Sequence, residues 1–245
     1  MSKWRFWPYS FSKIKQYKTC PRKFYYTHVR KIEVPPPTKF HLEKGDFGHS
    51  ILEHKIKSDL DRYEINLSEY EEFTYDNAKE IMRVLLDFCS TEEFKRILSS
   101  NNSKYTEFFF NLDPNLSPCN KKKKLLAGVI DYLEFDQNKI IIYDWKFGGK
   151  NVQTLQKFPQ DPLQLRLYGI WALEKYPEYS EVYSGFYFVE HNYCQEEHVF
   201  KENKDELKKD INRQILEIEE DYTFEKNESK LCDYCEFKDI CVNEN

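Results

Sequence analysis

The sequence predicts an α/β (α+β) fold on three observations. Short apolar runs of strand composition alternate with amphipathic stretches of helical period. Two of those runs flank Gln137-Asn138 as a hairpin, and a helix bounded by prolines separates that hairpin from a further strand. The elements follow in the order helix, helical insert, three strands, helix, strand, with no internal repeat.

SFSKIKQYKTCPRKFYY (Ser10 to Tyr26) opens as a short helix and passes into a basic aromatic stretch. VPPPT (Val34 to Thr38) breaks it, because consecutive prolines cannot continue a helix. In EKGDFGHSILEHKIK the apolar residues Phe47, Ile51, Leu52 and Ile56 recur at helical spacing, which puts His49 on a helix beginning near Gly45. Residues 60–104 read as a helical, acidic insert, and TEFFFNL (Thr106 to Leu112) as a strand. LLAGVIDYLEFD and KIIIYDWKF then pair as the hairpin. In DPLQLRLYGIWALEKYP, Asp161 is a candidate N-cap, Pro162 suits the first turn and Pro177 ends the helix. VYSGFYFVE is a further strand, and a charged helix from about Asn203 to Asp221 leads to the terminal CDYCEFKDIC.

The hairpin carries the chemistry. Symmetric pairing around Gln137 and Asn138 sets Asp136 against Lys139 and Asp131 against Asp144. Opposed side chains on antiparallel strands lie about 5 Å apart, and like charges there are destabilising unless something bridges them. Hard oxygen ligands suit magnesium or manganese. Lys146 follows Asp144 by two, so strand alternation puts its ammonium on the same face. An acidic residue, any residue and a lysine occur seven times in the chain. The tripeptide alone is therefore uninformative, and only the copy at Asp144 ends an apolar strand opposite another aspartate. The bland alternative is a surface salt bridge at a strand end.

Charge and cysteines add two further features. The net charge is −5, yet residues 1–60 hold thirteen Lys or Arg against five Asp or Glu, a local +8 that leaves −13 for the remaining 185 residues. Such asymmetry marks either a basic face for a polyanion or a solvated helix surface. A second basic spot is the run Lys121 to Lys124, which is otherwise a plain loop before a strand. The start, MSKWRFWPYSFSK, lacks the apolar stretch of a signal peptide, and no later run is long enough to span a membrane. The expectation is a cytoplasmic protein whose seven cysteines stay reduced. There is no G-x-x-x-x-G-K motif, so ATP-driven unwinding would fall to a partner.

Taken in order, SFSKIKQYKTCPRKFYY, GDFGHSILE, GVIDYLEFD, IIIYDWKFG, QLRLYG and CDYCEFKDIC make the chain resemble the PD-(D/E)XK nuclease superfamily, over nearly its whole length. The likeness is to the RecB-like branch that carries an iron–sulfur cluster, including the AddB nuclease domain and the small exonucleases of CRISPR adaptation. The resemblance implies a restriction-endonuclease-like core, a central mixed sheet flanked by helices. It implies one nuclease domain over 1–245, with a basic segment at 1–44, the insert at 60–104, a catalytic core at 105–190 and a cysteine segment at 222–245. His49, Asp131, Asp144 and the Trp145 carbonyl would hold the divalent metal, Lys146 would be the catalytic lysine, and Gln164 and Tyr168 would line the site. Their spacing of four independently puts Gln164 and Tyr168 on one helical face. A structural role is preferred for Glu107.

Cys20 with Cys232, Cys235 and Cys241 matches that branch's cluster pattern, and would join the two ends of the chain around a 4Fe–4S cluster, with zinc as the alternative. Cys89, Cys119 and Cys194 are left as ordinary thiols. Arg22 and Lys23 with Tyr25 and Tyr26 would either contact DNA, stacking bases in a basic groove, or pack around the cluster. The function expected is a Mg- or Mn-dependent deoxyribonuclease, an exonuclease on single-stranded or end-exposed DNA in recombination, repair or end processing, working with a helicase. CRISPR spacer acquisition beside adaptation proteins, and a non-catalytic DNA-binding subunit, are the alternatives.

Overall fold

The computed structural model describes residues 5–34, 40–57, 67–149 and 151–244. Its centre is a mixed five-stranded sheet flanked by helices, in the order β1-β2-β3-β4-β5: β1 Ser103–Leu112, β2 Leu126–Phe135, β3 Lys139–Lys146, β4 Glu181–Phe188 and β5 Tyr193–Phe200. The β2–β3 pair is antiparallel, β3–β4 parallel and β4–β5 antiparallel. The hairpin has the expected register: Tyr132 faces Tyr143, and the Asp136 N–H donates to the Lys139 carbonyl at 3.0 Å.

Among the described residues the α-helices are α1 Phe11–Thr19, α2 Pro21–Phe24, α3 Phe40–Lys57, α4 Tyr75–Cys89, α5 Glu92–Ser99, α6 Val152–Lys157, α7 Leu163–Lys175, α8 Lys204–Glu220 and α9 Lys238–Asn243. Three elements differ from expectation. Helix α3 starts five residues before Gly45, and the stretch after Cys20 stays helical through α2 and a π-turn at Tyr25–Val29. Strand β5 was not foreseen, because YCQEEHVF is a polar strand with Val199 its one fully buried residue. No helix among the described residues is long and apolar enough to cross a membrane.

The chain forms two compact units. One comprises 38–110 and 129–204. In it α3, α4 and α5 bury Phe47, Leu52, Ile81, Leu85, Phe88 and Phe94 against Tyr132, Tyr143, Trp145 and Tyr187 of the sheet. The described part of the stretch read as an insert therefore supplies one layer of this unit. Helix α4 begins with a capping box between Thr74 and Asn77, and α5 with a Thr91 cap. Helix α7 packs on β4 and β5 and takes Phe108 and Phe110 of β1 against Trp171, at ring separations of 5.2 and 5.6 Å.

One buried charge is tied into this layer. Glu134 is fully buried, and its oxygens accept from Arg96, Ser100, Asn102 and the Tyr132 hydroxyl at 2.6–2.9 Å. Burial alone would raise its pKa, but those donors outweigh it and hold the carboxyl below the ordinary value. Glu134→Ala takes the acceptor from all four donors. It is expected to cost about 3 kcal/mol in urea unfolding at neutral pH.

The second unit comprises 1–37, 111–128 and 205–245. Its core is aromatic: Phe6 meets Phe24 edge-on at 5.1 Å, Phe24 stacks on Phe224 at 6.2 Å, and Tyr26 packs on Phe237 at 5.4 Å. Much of the N-terminal positive charge is spent inside this unit. Arg5 pairs with Glu219, Lys23 with Glu236 and Arg30 with Glu244. Lys13 caps the Phe6 and Pro8 carbonyls, both at 2.9 Å.

Candidate active site

Five elements of the first unit converge on one polar hollow. Helix α3 turns its apolar stripe inward and leaves Asp46, His49, Ser50 and Glu53, at helical spacings of three and four, lining a hollow of ≈ 330 Å³ that Glu107 of β1 also lines. Gly48 lets this helix sit close, since a Cβ there would meet the Phe147 ring at 2.4 Å. That same ring lies edge-on to His49 at 5.4 Å, so the glycine fixes how near the imidazole approaches β3.

From the hairpin, Asp131 Oδ2 accepts the Trp145 backbone N–H at 2.8 Å and lies 3.4 Å from His49 Nδ1. The Trp145 backbone lies near enough to His49 to favour its protonated form, which brings that peptide to the site's edge. Asp144, one step beyond the Tyr132–Tyr143 pair, is buried, and Lys146 pairs with its Oδ2 while lying 5.0 Å over the Phe186 ring. Asp144 Oδ1 accepts from Gln164 Nε2 at 2.7 Å and lies 3.1 Å from the Tyr168 hydroxyl. The second Gln164 amide proton goes to the Tyr168 oxygen at 2.6 Å. Tyr168 has one proton to give, and the Val129 carbonyl at 2.7 Å is its shorter acceptor. The structure thus brings His49, Asp131, Asp144, Trp145, Lys146, Gln164 and Tyr168 together.

Glu107 completes the group. His49, Glu107 and Asp131 each offer a ligand atom, all within 4.8 Å of one another, the one such trio of metal-donor residues among those described. The glutamate gets there through a kink. Its φ is +48°, a left-handed conformation costly for a residue with a Cβ. Tyr105 contacts Phe108 at 5.7 Å, and Phe108 and Phe110 both reach Trp171, so an extra residue interrupts the alternation between 105 and 108. Such a bulge re-aims a side chain beside a site. Counted from Phe108 and Phe110, regular alternation would turn Glu107 away from the face of Trp171.

The electrostatics fit a missing positive charge. Burial and then Asp144 hold the Asp131 carboxyl well above its ordinary range. Glu107 is raised by burial and by Glu53, Asp144 and Asp46. Burial pushes the His49 imidazole down, toward the neutral form that ligates. A divalent cation among these groups relieves the repulsion and lets both carboxylates ionise. If Glu107 is a ligand, Glu107→Gln should weaken Mn2+ binding about 10- to 100-fold, read by calorimetry, with the fold intact.

The cysteine segment belongs to the second unit. Cys20, between α1 and α2, lines a cavity of ≈ 430 Å³ with Cys232, Cys235 and Cys241. All four are free thiols, and Cys89, Cys119 and Cys194 lie outside that cavity. The Ser229 N–H approaches Cys232 Sγ at 3.5 Å, and Lys226 ties the Cys241 carbonyl at 2.7 Å. Of the residues expected at DNA, Arg22 and Lys23 line the same cavity and Tyr25 packs on Phe224 at 5.4 Å. Tyr26 is only 1% exposed and donates to Glu244, which leaves no ring face for a base.

This ordered set of strand-end carboxylates and lysine on a mixed sheet defines a nuclease class. The chain belongs to the PD-(D/E)XK nuclease superfamily, whose model matches residues 8–242. The fold is similar to a crystal structure named "Putative exonuclease" from Eubacterium rectale, with a TM-score of 0.56 and 13% identity over 93% of this chain and 86% of that one. A crystal structure named SSO0001 aligns over 100% of this chain and 90% of that one at 14% identity, with a TM-score of 0.41. No curated protein matches the sequence.

Proposed function

We propose that the protein is a Mg2+- or Mn2+-dependent deoxyribonuclease, an exonuclease acting on single-stranded or end-exposed DNA. The observation that carries this reading is the convergence of His49, Glu107 and Asp131 beside the Asp144–Lys146 pair. His49, Glu107, Asp131, Asp144 and the Trp145 carbonyl are the donors that would hold the cation. Bound there, a divalent cation would polarise the scissile phosphate and lower the pKa of a water. Lys146 directs its ammonium to the same place, where it orients the attacking water and offsets the charge that develops on phosphorus. Gln164 fixes the Asp144 carboxylate with one amide proton and is itself oriented by its second on the Tyr168 oxygen, so that the carboxylate meets the substrate in one orientation.

On its sequence likeness to the RecB-like branch the protein would carry a 4Fe–4S cluster at Cys20, Cys232, Cys235 and Cys241, a reading that their shared cavity supports. Four thiolates suit either such a cluster or a zinc ion by their chemistry, and the sequence likeness favours the cluster. The cluster would hold segments distant in sequence in one unit. The E. rectale protein's name supports the exonuclease reading.

The test is hydrolysis of end-labelled linear and sealed circular DNA, single- and double-stranded, by protein purified without oxygen. Linear single strands should be degraded in either cation and circles spared. Cleavage of circles at the linear rate would replace exonuclease with endonuclease, and DNA left intact in both metals would sink the nuclease reading.

A further inference from the structure

Lys121 to Lys124 form a run of four basic residues in the second unit. Arg5, Lys23 and Arg30 are matched by Glu219, Glu236 and Glu244, but no side chain of the four lysines makes an ion pair or hydrogen bond among the described residues. Asp113, on the same loop, is turned onto the backbone N–H groups of Asn115 and Ser117 at 2.8 and 3.0 Å. The backbone of the turn is nonetheless built. Asn120 accepts from the Lys122 N–H through its side chain at 3.2 Å and from the Lys123 N–H through its carbonyl at 3.1 Å. The Trp7 indole N–H donates to the Lys124 carbonyl. Lys121, Lys122 and Lys123 are exposed, and the Trp7 ring is 43% exposed beside them.

Four consecutive lysines on one short turn concentrate positive charge within a few residues, and a polyanion removes the cost of their repulsion. An indole left half in water and fastened by its N–H edge keeps its ring available for stacking. Lysines alone would serve any phosphate backbone, but a stacking ring is useful only to an unpaired base. We propose that the Lys121–Lys124 turn and Trp7 form a binding surface for single-stranded DNA, the lysines taking phosphates and the indole one base. The proposal deepens the nuclease reading and rests on it for the choice of DNA.

The experiment is fluorescence anisotropy of a labelled oligothymidylate and a labelled duplex, with chelator present so that binding is read without hydrolysis. The wild type is compared with the triple variant Lys121→Gln/Lys122→Gln/Lys123→Gln, with Trp7→Ala and with Trp7→Phe. The triple variant should bind the single strand more weakly and flatten the slope of log affinity against log salt by about 2. Trp7→Ala should lose about tenfold on the single strand and little on the duplex, and Trp7→Phe should restore most of it. An unchanged salt slope in the triple variant overturns the surface. Equal losses on single strand and duplex in Trp7→Ala overturn the stacking role. Either result, from a wild type that hydrolyses DNA in Mg2+ or Mn2+, leaves the nuclease reading standing. Binding through this surface without hydrolysis in any metal would instead remove the nuclease reading alone.

Discussion

Lys146→Ala and Asp144→Ala are each expected to lower the rate of DNA hydrolysis by about a thousandfold or more, the combined range for losing a positioned charge at a reacting phosphate. The two side chains form one device. Asp144 Oδ1 is fixed by Gln164, while Oδ2, which has no hydrogen-bond donor suitably aligned, is paired with Lys146. Removing the lysine therefore leaves a buried carboxylate oxygen uncompensated as well as the attacking water unguided. Lys146→Arg should rescue little, because a planar guanidinium cannot place its charge at the same point. Gln164→Ala isolates the positioning role: it should reduce turnover by a smaller factor with urea stability nearly unchanged. A Lys146→Ala protein within tenfold of wild type would show that the charge is not used in the reaction.

Cys232→Ser should give the largest effect on stability. If the four cysteines hold the proposed cluster, substituting one of them should remove its visible absorption and lower the melting temperature of the second unit by about 10 °C, at about 3 °C per kcal/mol for a chain of this length. The unit has reason to depend on it. Cys20 is the N-cap of the four-residue α2 and Cys241 lies on the six-residue α9, elements too short to persist without a brace. Cys119→Ser is the control, since that thiol lies outside the cavity. Colourless wild-type protein holding one zinc would assign the site to zinc. An unchanged melting temperature in Cys232→Ser would remove the bracing role.

The hairpin was legible because its chemistry and register come from one local stretch. An apolar run, a two-residue turn and a mirrored run leave few ways to place Asp131, Asp144 and Lys146. The α7 pair Gln164 and Tyr168 was legible for the same reason, helical spacing. Glu107 was underrated because its position depends on a bulge, and a left-handed glutamate has no signature in TEFFFNL. The acidic stripe Asp46, His49, Ser50 and Glu53 was readable in principle. Only the apolar face of that helix and His49 drew attention. Strand β5 lacks the apolar alternation by which strands are found, since it is an edge strand with a mostly polar surface. The basic segment misled in another way: charge counted along 1–60 says nothing of the glutamates near residue 220 and beyond that meet it in the fold.

The most direct test of the account is a calorimetric titration of Mn2+ into protein purified without oxygen, run in two buffers of different ionisation enthalpy. Asp131 and Glu107 both sit above their ordinary pKa until a cation enters, so binding should be saturable and should release protons. Asp131→Asn should abolish it. Saturable binding that persists in Asp131→Asn, or no binding in the wild type, would contradict the claim that these side chains form a metal centre.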